Sequence, residues 1–125
     1  MTARSLALVT VLAALAACRV AGPLEPASMA LLRQHGLEPT GPTRTQTIQI
    51  GAPQETPWDL YLEASRRTGL SFASYSGTQA QLETTPVAGD PPLRAHVLTV
   101  DGLAVGAWLS AEGMAPGIFA LSDRP

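Results

Sequence analysis

Cys18 has a reactive thiol, lies directly after an apolar run, and is the only cysteine of the chain. With no second thiol, an intramolecular disulfide bond is excluded. A run of apolar and small residues, interrupted only by Thr10, precedes it from Leu6 to Ala17, and Arg4 supplies a positive charge near the start. A basic start, an apolar stretch and small residues before a cleavage point are typical of a secretion signal. We therefore predict that residues 1–17 are a signal peptide.

The apolar run is too short to remain as a membrane-spanning helix. Its twelve residues would extend about 18 Å as a helix, against about 30 Å for the hydrocarbon core of a bilayer. The stretch Leu15-Ala16-Ala17-Cys18 resembles the lipobox of bacterial lipoproteins. This resemblance implies that the Cys18 thiol accepts a diacylglycerol, that the peptide bond before it is cut, and that the new amino group is acylated, for example with palmitate. The alternative is an ordinary signal-peptide cut beside an unmodified Cys18.

The residue after the cysteine bears on which membrane the protein is sorted to. Arg19 stands where the family's inner-membrane retention signal has an aspartate. The resemblance thus implies a protein anchored in the outer membrane and facing the periplasm. Two or three acyl chains, at about 0.8 kcal/mol per buried methylene, anchor a domain stably.

Composition limits the remaining possibilities. All eight basic residues are arginine, and the mature chain would keep seven of them against ten acidic residues, a net charge of −3. This balance excludes a nucleic-acid-binding surface. Eleven prolines and eleven glycines in 125 residues predict short elements joined by turns. The length suffices for one domain, which we place at 45–125.

Residues 18–44 are predicted to be a lipidated cysteine followed by a flexible tether, since prolines recur at 23, 26, 39 and 42 and cannot donate backbone hydrogen bonds. Within it, Pro26 to His35 could form a short helix that carries Met29, Leu31 and Leu32. Two interpretations remain open. The segment either becomes ordered in the groove of a partner or packs locally on its own domain.

Hydrophobic periodicity predicts the elements of the domain. We expect strands at 45–50, 70–75, 82–87, 93–100 and 118–121, and helices at 57–68 and 102–112. The first helix begins after Thr56 and the second after Asp101, each a potential N-cap. The fold class is α+β, in two layers, with the order β-α-β-β-β-α-β and both helices on one face of one sheet. Its predicted core is Ile48, Ile50, Trp58, Leu62, Phe72, Val97, Val100, Leu109 and Phe119.

The pattern from Thr47 to Leu121 resembles the short N-terminal domain of secretins and TonB-dependent receptors, called STN or N0. The resemblance rests on Ile48-Gln-Ile50, Trp58-Asp-Leu-Tyr-Leu62, Arg67-Thr-Gly-Leu70, Val97-Leu-Thr-Val100, Asp101-Gly-Leu103, Trp108-Leu-Ser-Ala-Glu-Gly-Met114 and Gly117-Ile-Phe119. It implies a non-catalytic domain that contacts other proteins through an edge strand or a helix face. Small lipoproteins of type IV or type II secretion complexes share this layout, and a ring-forming oligomer within such a complex is left open.

No constellation of catalytic, cofactor-binding or metal-binding residues is evident. His35 lies in the predicted tether, and His96 is interpreted as an ordinary surface or edge histidine. The carboxylates of Asp59, Glu63 and Asp101 have structural roles at helix positions. Candidate partner-binding residues are Met29, Leu31, Leu32, Trp58, Arg66 and Arg67, although core packing explains Trp58, and the helix dipole explains the two arginines, without a partner.

These observations favour a structural or assembly lipoprotein of a secretion complex, without a reaction. One alternative is a signalling module that binds an inner-membrane regulator. Another is a small envelope enzyme or its inhibitor, which would need His, Asp and Ser side chains clustered in a pocket.

Overall fold

In the computed structural model, which describes residues 20–114 and 117–125, two α-helices pack against an antiparallel sheet of six strands. The strands follow one another across the sheet in chain order. They are β1 (Val20–Gly22), β2 (Thr43–Gln49), β3 (Gln79–Val87), β4 (Leu93–Val100), β5 (Leu103–Ala111) and β6 (Ile118–Phe119). The helices are α1 (Pro26–Gln34) and α2 (Trp58–Arg67). The prediction of a small α+β domain is confirmed, whereas the predicted signal peptide and Cys18 lie outside the described residues.

The segment from residue 20 to 44 belongs to the fold, so the prediction of a flexible tether is wrong there. β1 pairs with the start of β2, with Val20 opposite Thr45. α1 follows, and its Leu32 is fully buried. Leu24 and Leu37, on either side of the helix, are buried in the same apolar cluster. Burial of these leucines supplies the stabilisation that the prolines and glycines of the segment do not.

A buried carboxylate holds the first turn of α1. Glu83, on β3, is 1% exposed. One of its oxygens accepts a hydrogen bond from the Glu25 backbone N–H at 2.9 Å, and the other accepts one from the Ser28 hydroxyl. The helix has no side-chain cap of its own at Glu25. Glu83 therefore acts as the cap from a distant strand, and its negative charge lies at the positive end of the helix dipole.

β6 is too short to pair with the whole of β5, and α2 supplies hydrogen bonds to part of the remainder. β6 pairs with Leu109 and Ser110 only. Two residues before Leu109 on β5, the Ala107 N–H donates to the buried Ser65 hydroxyl at 3.0 Å. That hydroxyl can donate its single hydrogen to the Ala107 carbonyl at 3.1 Å or to the Tyr61 carbonyl at 2.7 Å. One serine thus takes the place of a neighbouring strand at a buried position.

The helices cover opposite faces of the sheet, not one face as predicted. Side chains alternate across a strand, and on β4 Val97 contacts the cluster that contains Leu32 of α1, whereas Leu98 contacts the cluster that contains Leu62 of α2. The result is three layers and two apolar clusters. Of the predicted core, Ile50, Leu62, Phe72, Val97 and Leu109 are buried, and Ile48, Trp58, Val100 and Phe119 are half-buried.

The predicted second helix is a strand. Asp101 and Gly102 form a two-residue hairpin between Val100 and Leu103, and their φ angles are 50° and 78°. Positive φ at both central positions is the requirement of the turn that matches the twist of paired strands. Asp101 therefore ends β4 instead of capping a helix, and the following residues form β5, whose middle part, from Val105 to Leu109, is buried. The predicted order β-α-β-β-β-α-β is therefore wrong: the observed order of strands and α-helices is β-α-β-α-β-β-β-β, and β3 to β6 form a meander.

The strand predicted at 70–75 is also wrong, because Ala73–Tyr75 is a short 3₁₀ helix. Phe72 is nevertheless buried, and its ring lies on Gly106 of β5, where an added Cβ would come within 2.6 Å of it. A glycine inside a strand is explained by this close approach of an aromatic ring.

Candidate functional site

The three apolar candidates on α1 serve the domain's own core. Leu32 is fully buried, and Met29 and Leu31 are half-buried against the same cluster. The interpretation that this segment packs locally therefore describes the structure. Leu32 offers no surface to a partner as long as α1 stays in place.

The tryptophan candidate belongs to an aromatic cluster beneath α2. The Trp58 ring meets those of Tyr61 and Phe72 edge-on, at centroid distances of 5.6 Å and 5.9 Å. Tyr61 in turn stacks on the buried Trp108 at 4.1 Å, with ring planes 7° apart. Such contacts fix the position of α2 on the sheet.

The two arginine candidates differ in their surroundings. Both are exposed, but Arg67 donates to Asp123 at 2.9 Å and lies 3.9 Å from Glu63. The pair with Asp123 ties the end of α2 to the C-terminal segment. Because these side chains are solvated, the pair contributes little to stability. Its consequence is a rim of paired charges beside α2, with one arginine between two carboxylates.

Next to this rim, α2 and β6 enclose a groove of about 150 Å³. Leu60, 38% exposed, lies on its helix side, and Ile118 and Phe119, both half-buried, lie on its strand side. We call this feature the α2–β6 groove. Its lining residues are Leu60, Glu63, Ala64, Arg67, Ile118, Phe119, Ala120 and Asp123. Neither Leu60 nor Ile118 is among the predicted partner-binding residues, although the spacing of positions 60, 63, 64 and 67 marks one helix face.

His96 is not the surface or edge histidine that the sequence analysis predicted. It is half-buried on β4, an inner strand. Its Nε2 lies 2.8 Å from the Ser110 hydroxyl and its Nδ1 lies 3.1 Å from the Thr84 hydroxyl. Its ring stacks on Trp108 at a centroid distance of 5.5 Å. The residues that flank His96 come from β3 and β5, so their proximity depends on strand register and could not be read from spacing.

Burial, and secondarily the positive charge of Arg94, lowers the pKa of His96 from 6.5 to about 4. The imidazole is therefore neutral at neutral pH. One ring nitrogen then donates a hydrogen bond to its neighbouring hydroxyl, and the other ring nitrogen accepts one from the second hydroxyl. A serine beside a histidine is the arrangement of an activated nucleophile. A base with so low a pKa removes a proton poorly at neutral pH, and a threonine hydroxyl lacks the charge that would stabilise an imidazolium.

The pKa of His96 predicts an acid-sensitive stability. Below pH 6.5 the unfolded chain takes up a proton that the folded chain refuses until about pH 4, so stability falls as the pH drops through this window. The expected loss from this residue between pH 7 and pH 5 is about 2 kcal/mol. Urea unfolding of the wild type and of His96→Gln at both pH values measures it. An equal loss in both proteins would show that another group is responsible.

Across residues 20–114 and 117–125, no three His, Cys, Asp or Glu side chains are grouped to hold a metal ion. Within the same ranges, no helix has the length and apolar character needed to cross a membrane.

Comparison of the chain with models of protein families, with curated proteins and with solved structures gives no match.

Proposed function

We propose that this chain is a non-enzymatic lipoprotein, anchored through Cys18 to the outer membrane, whose periplasmic domain docks a protein partner in a secretion complex. The lipid and the location are supported by the export signal, the lipobox-like stretch and Arg19. The secretion complex is supported by the STN/N0 resemblance. From that resemblance the proposal keeps contact through a helix face or an edge strand, and not the order of elements.

The observation that carries the docking function is the α2–β6 groove. Its apolar lining comes from an exposed helix face and from the last strand of the sheet. The STN/N0 resemblance implies contact with other proteins through a helix face or an edge strand. The charged rim of the groove consists of Arg67, which is paired with both Asp123 and Glu63, and these three side chains are solvated. Because solvated charges interact weakly, a charged ligand would gain little there, whereas an apolar side chain of a partner would displace water from Leu60 and Ile118.

The size of the groove favours a protein over a small molecule. Sites for drug-sized ligands enclose roughly 300 to 1,000 Å³, whereas this groove encloses about 150 Å³. That space suits one apolar side chain, and anchoring of one side chain in a pocket is typical of protein interfaces. We therefore expect the partner to present a single apolar anchor to the groove.

Cross-linking tests this proposal. A photo-reactive amino acid at Leu60, in the lipidated protein in cells, should give a defined adduct with one envelope protein. The same group at Arg66, which is exposed on α2 but outside the groove, should not. Leu60→Asp should weaken binding of that protein by thirtyfold or more, the effect of losing about 2 kcal/mol at an anchor, and Arg66→Asp should leave it unchanged. Equal adducts at both positions would contradict the proposal.

One observation favours an enzyme as the second candidate, namely the 2.8 Å contact between His96 and Ser110. Hydrolysis of an activated ester that disappears in Ser110→Ala, while the domain stays folded, would establish an enzyme and remove the non-enzymatic proposal. The signalling alternative shares the groove and differs in the partner. An adduct with the periplasmic part of an inner-membrane regulator would identify it.

A further inference from the structure

The first strand defines the direction from which the N-terminal region approaches the domain. β1 runs antiparallel to β2, and its first residue, Val20, lies opposite Thr45. β2 continues from there to Gln49. The N-terminal side of Val20 therefore faces the end of the sheet where β2 ends. At this same end β3 begins, β4 ends, and the Asp101-Gly102 hairpin joins β4 to β5.

Only a short stretch of chain separates the proposed anchor from β1. Cys18 precedes Val20 by two residues, and two residues of extended chain span at most about 7 Å. Val20 lies level with Val97 of β4, since Thr45, Glu83 and Val97 are register neighbours. Val100, three residues further along β4, is about 10 Å closer to the end. The hairpin therefore extends at least as far toward this end as the Cα atom of Cys18 can reach, and a bilayer that lies across this end of the sheet would meet the hairpin.

The chemistry of this end suits a membrane of zwitterionic lipids. Leu103, the first residue of β5, is 61% exposed and is the most exposed large apolar side chain of the described residues. The same end of the sheet carries the exposed neutral side chains of Gln49, Gln79 and Gln81, on β2 and β3. The exposed carboxylate on the hairpin is that of Asp101, which an anionic lipid surface would repel. We call these five residues the tip end.

We propose that the tip end rests on the bilayer and that Leu103 inserts its side chain among the headgroups of zwitterionic lipids. This inference rests on the proposed lipidation of Cys18. The short link between anchor and sheet keeps this end of the domain near the bilayer, and the exposed leucine gains apolar contact that water does not provide. The α2–β6 groove is then presented by a domain that is held upright on the membrane.

A spin label at position 103 tests the orientation. Acylation consumes the thiol of Cys18, the only cysteine, so Leu103→Cys introduces the only free thiol of the lipidated protein. Ala88→Cys is the matched control, because Ala88 is an exposed small residue in the loop that joins β3 to β4 at the opposite end of the sheet. Both labelled proteins are inserted into phosphatidylcholine vesicles and purified by flotation. Accessibility of the label to oxygen and to a water-soluble nickel chelate is then compared.

The expected result is a label at 103 that is more accessible to oxygen than to nickel, and a label at 88 with the reverse preference. Flotation with a water-exposed label at 103 would overturn the inference and leave the anchor standing. A lipid-exposed label at 88 with a water-exposed one at 103 would reverse the orientation and also overturn it. Failure of both proteins to float would refute the anchor, and with it the orientation.

Discussion

Leu32→Ala is expected to lower the free energy of unfolding by about 3 kcal/mol. Leu32 is fully buried between α1 and the sheet, and truncation of such a leucine loses the transfer free energy of the removed atoms and leaves a cavity. Urea unfolding followed by tryptophan fluorescence provides the measurement, since Trp58 and Trp108 lie in the cluster on the other face. A loss of this size is a large part of the total stability of a domain this small.

Two variants of the same helix serve as controls. Leu31→Ala removes an identical side chain that is only half-buried, and a smaller loss is expected. Gln34→Ala changes an exposed side chain at the end of α1, where an effect within about 0.5 kcal/mol is normal. If residues 20–44 were a flexible tether in solution, all three variants would unfold like the wild type, and this outcome would contradict the three-layer fold.

The elements that sequence reasoning predicted well depend on local signals. The strand predicted at 93–100 is β4, and the helix predicted at 57–68 is α2, shortened by a residue at each end. Both stretches have the periodicity of their element and end at glycine, proline or a turn residue. Leu62 is buried as predicted, because its helical position puts it on the face toward the sheet.

The prediction of a helix at 102–112 is wrong because the sequence around Asp101 carries signals for both a helix cap and a hairpin turn. Asp101 before an apolar run was interpreted as a helix cap, yet Asp-Gly between two apolar runs is also the strongest short-range hairpin signal. Gly106 disfavours a helix at this position, since glycine destabilises helix interiors. Its role beneath Phe72 depends on a contact between residues far apart in sequence, which periodicity does not reveal.

The tether was mispredicted for a different reason. Its prolines and glycines favour flexibility, and some of the groups that hold the segment in place lie far away in the sequence. Glu83 supplies the cap of α1 from 55 residues beyond Ser28. A glutamate within a strand gives no local sign of such a role. The neighbours of His96 were missed in the same way, because Thr84 and Ser110 meet it only through strand register.

Cys18→Ser should move the protein from the membrane fraction to the soluble periplasmic fraction almost completely. Without the thioether-linked chains, the remaining proposed membrane contact is the tip end, and one exposed leucine gives at most a few kcal/mol of apolar burial. The domain of the variant should unfold in urea like the wild type, because every cluster of the core lies after residue 20. Leu103→Ser, which keeps the anchor, should stay in the membrane fraction.

The mass of the mature N-terminal peptide tests whether Cys18 is lipidated. We expect a chain that begins at Cys18 and carries a diacylglycerol on the thiol with a further acyl chain on the amino group. A mature chain with a free Cys18 thiol, or one that begins at another residue, would contradict it.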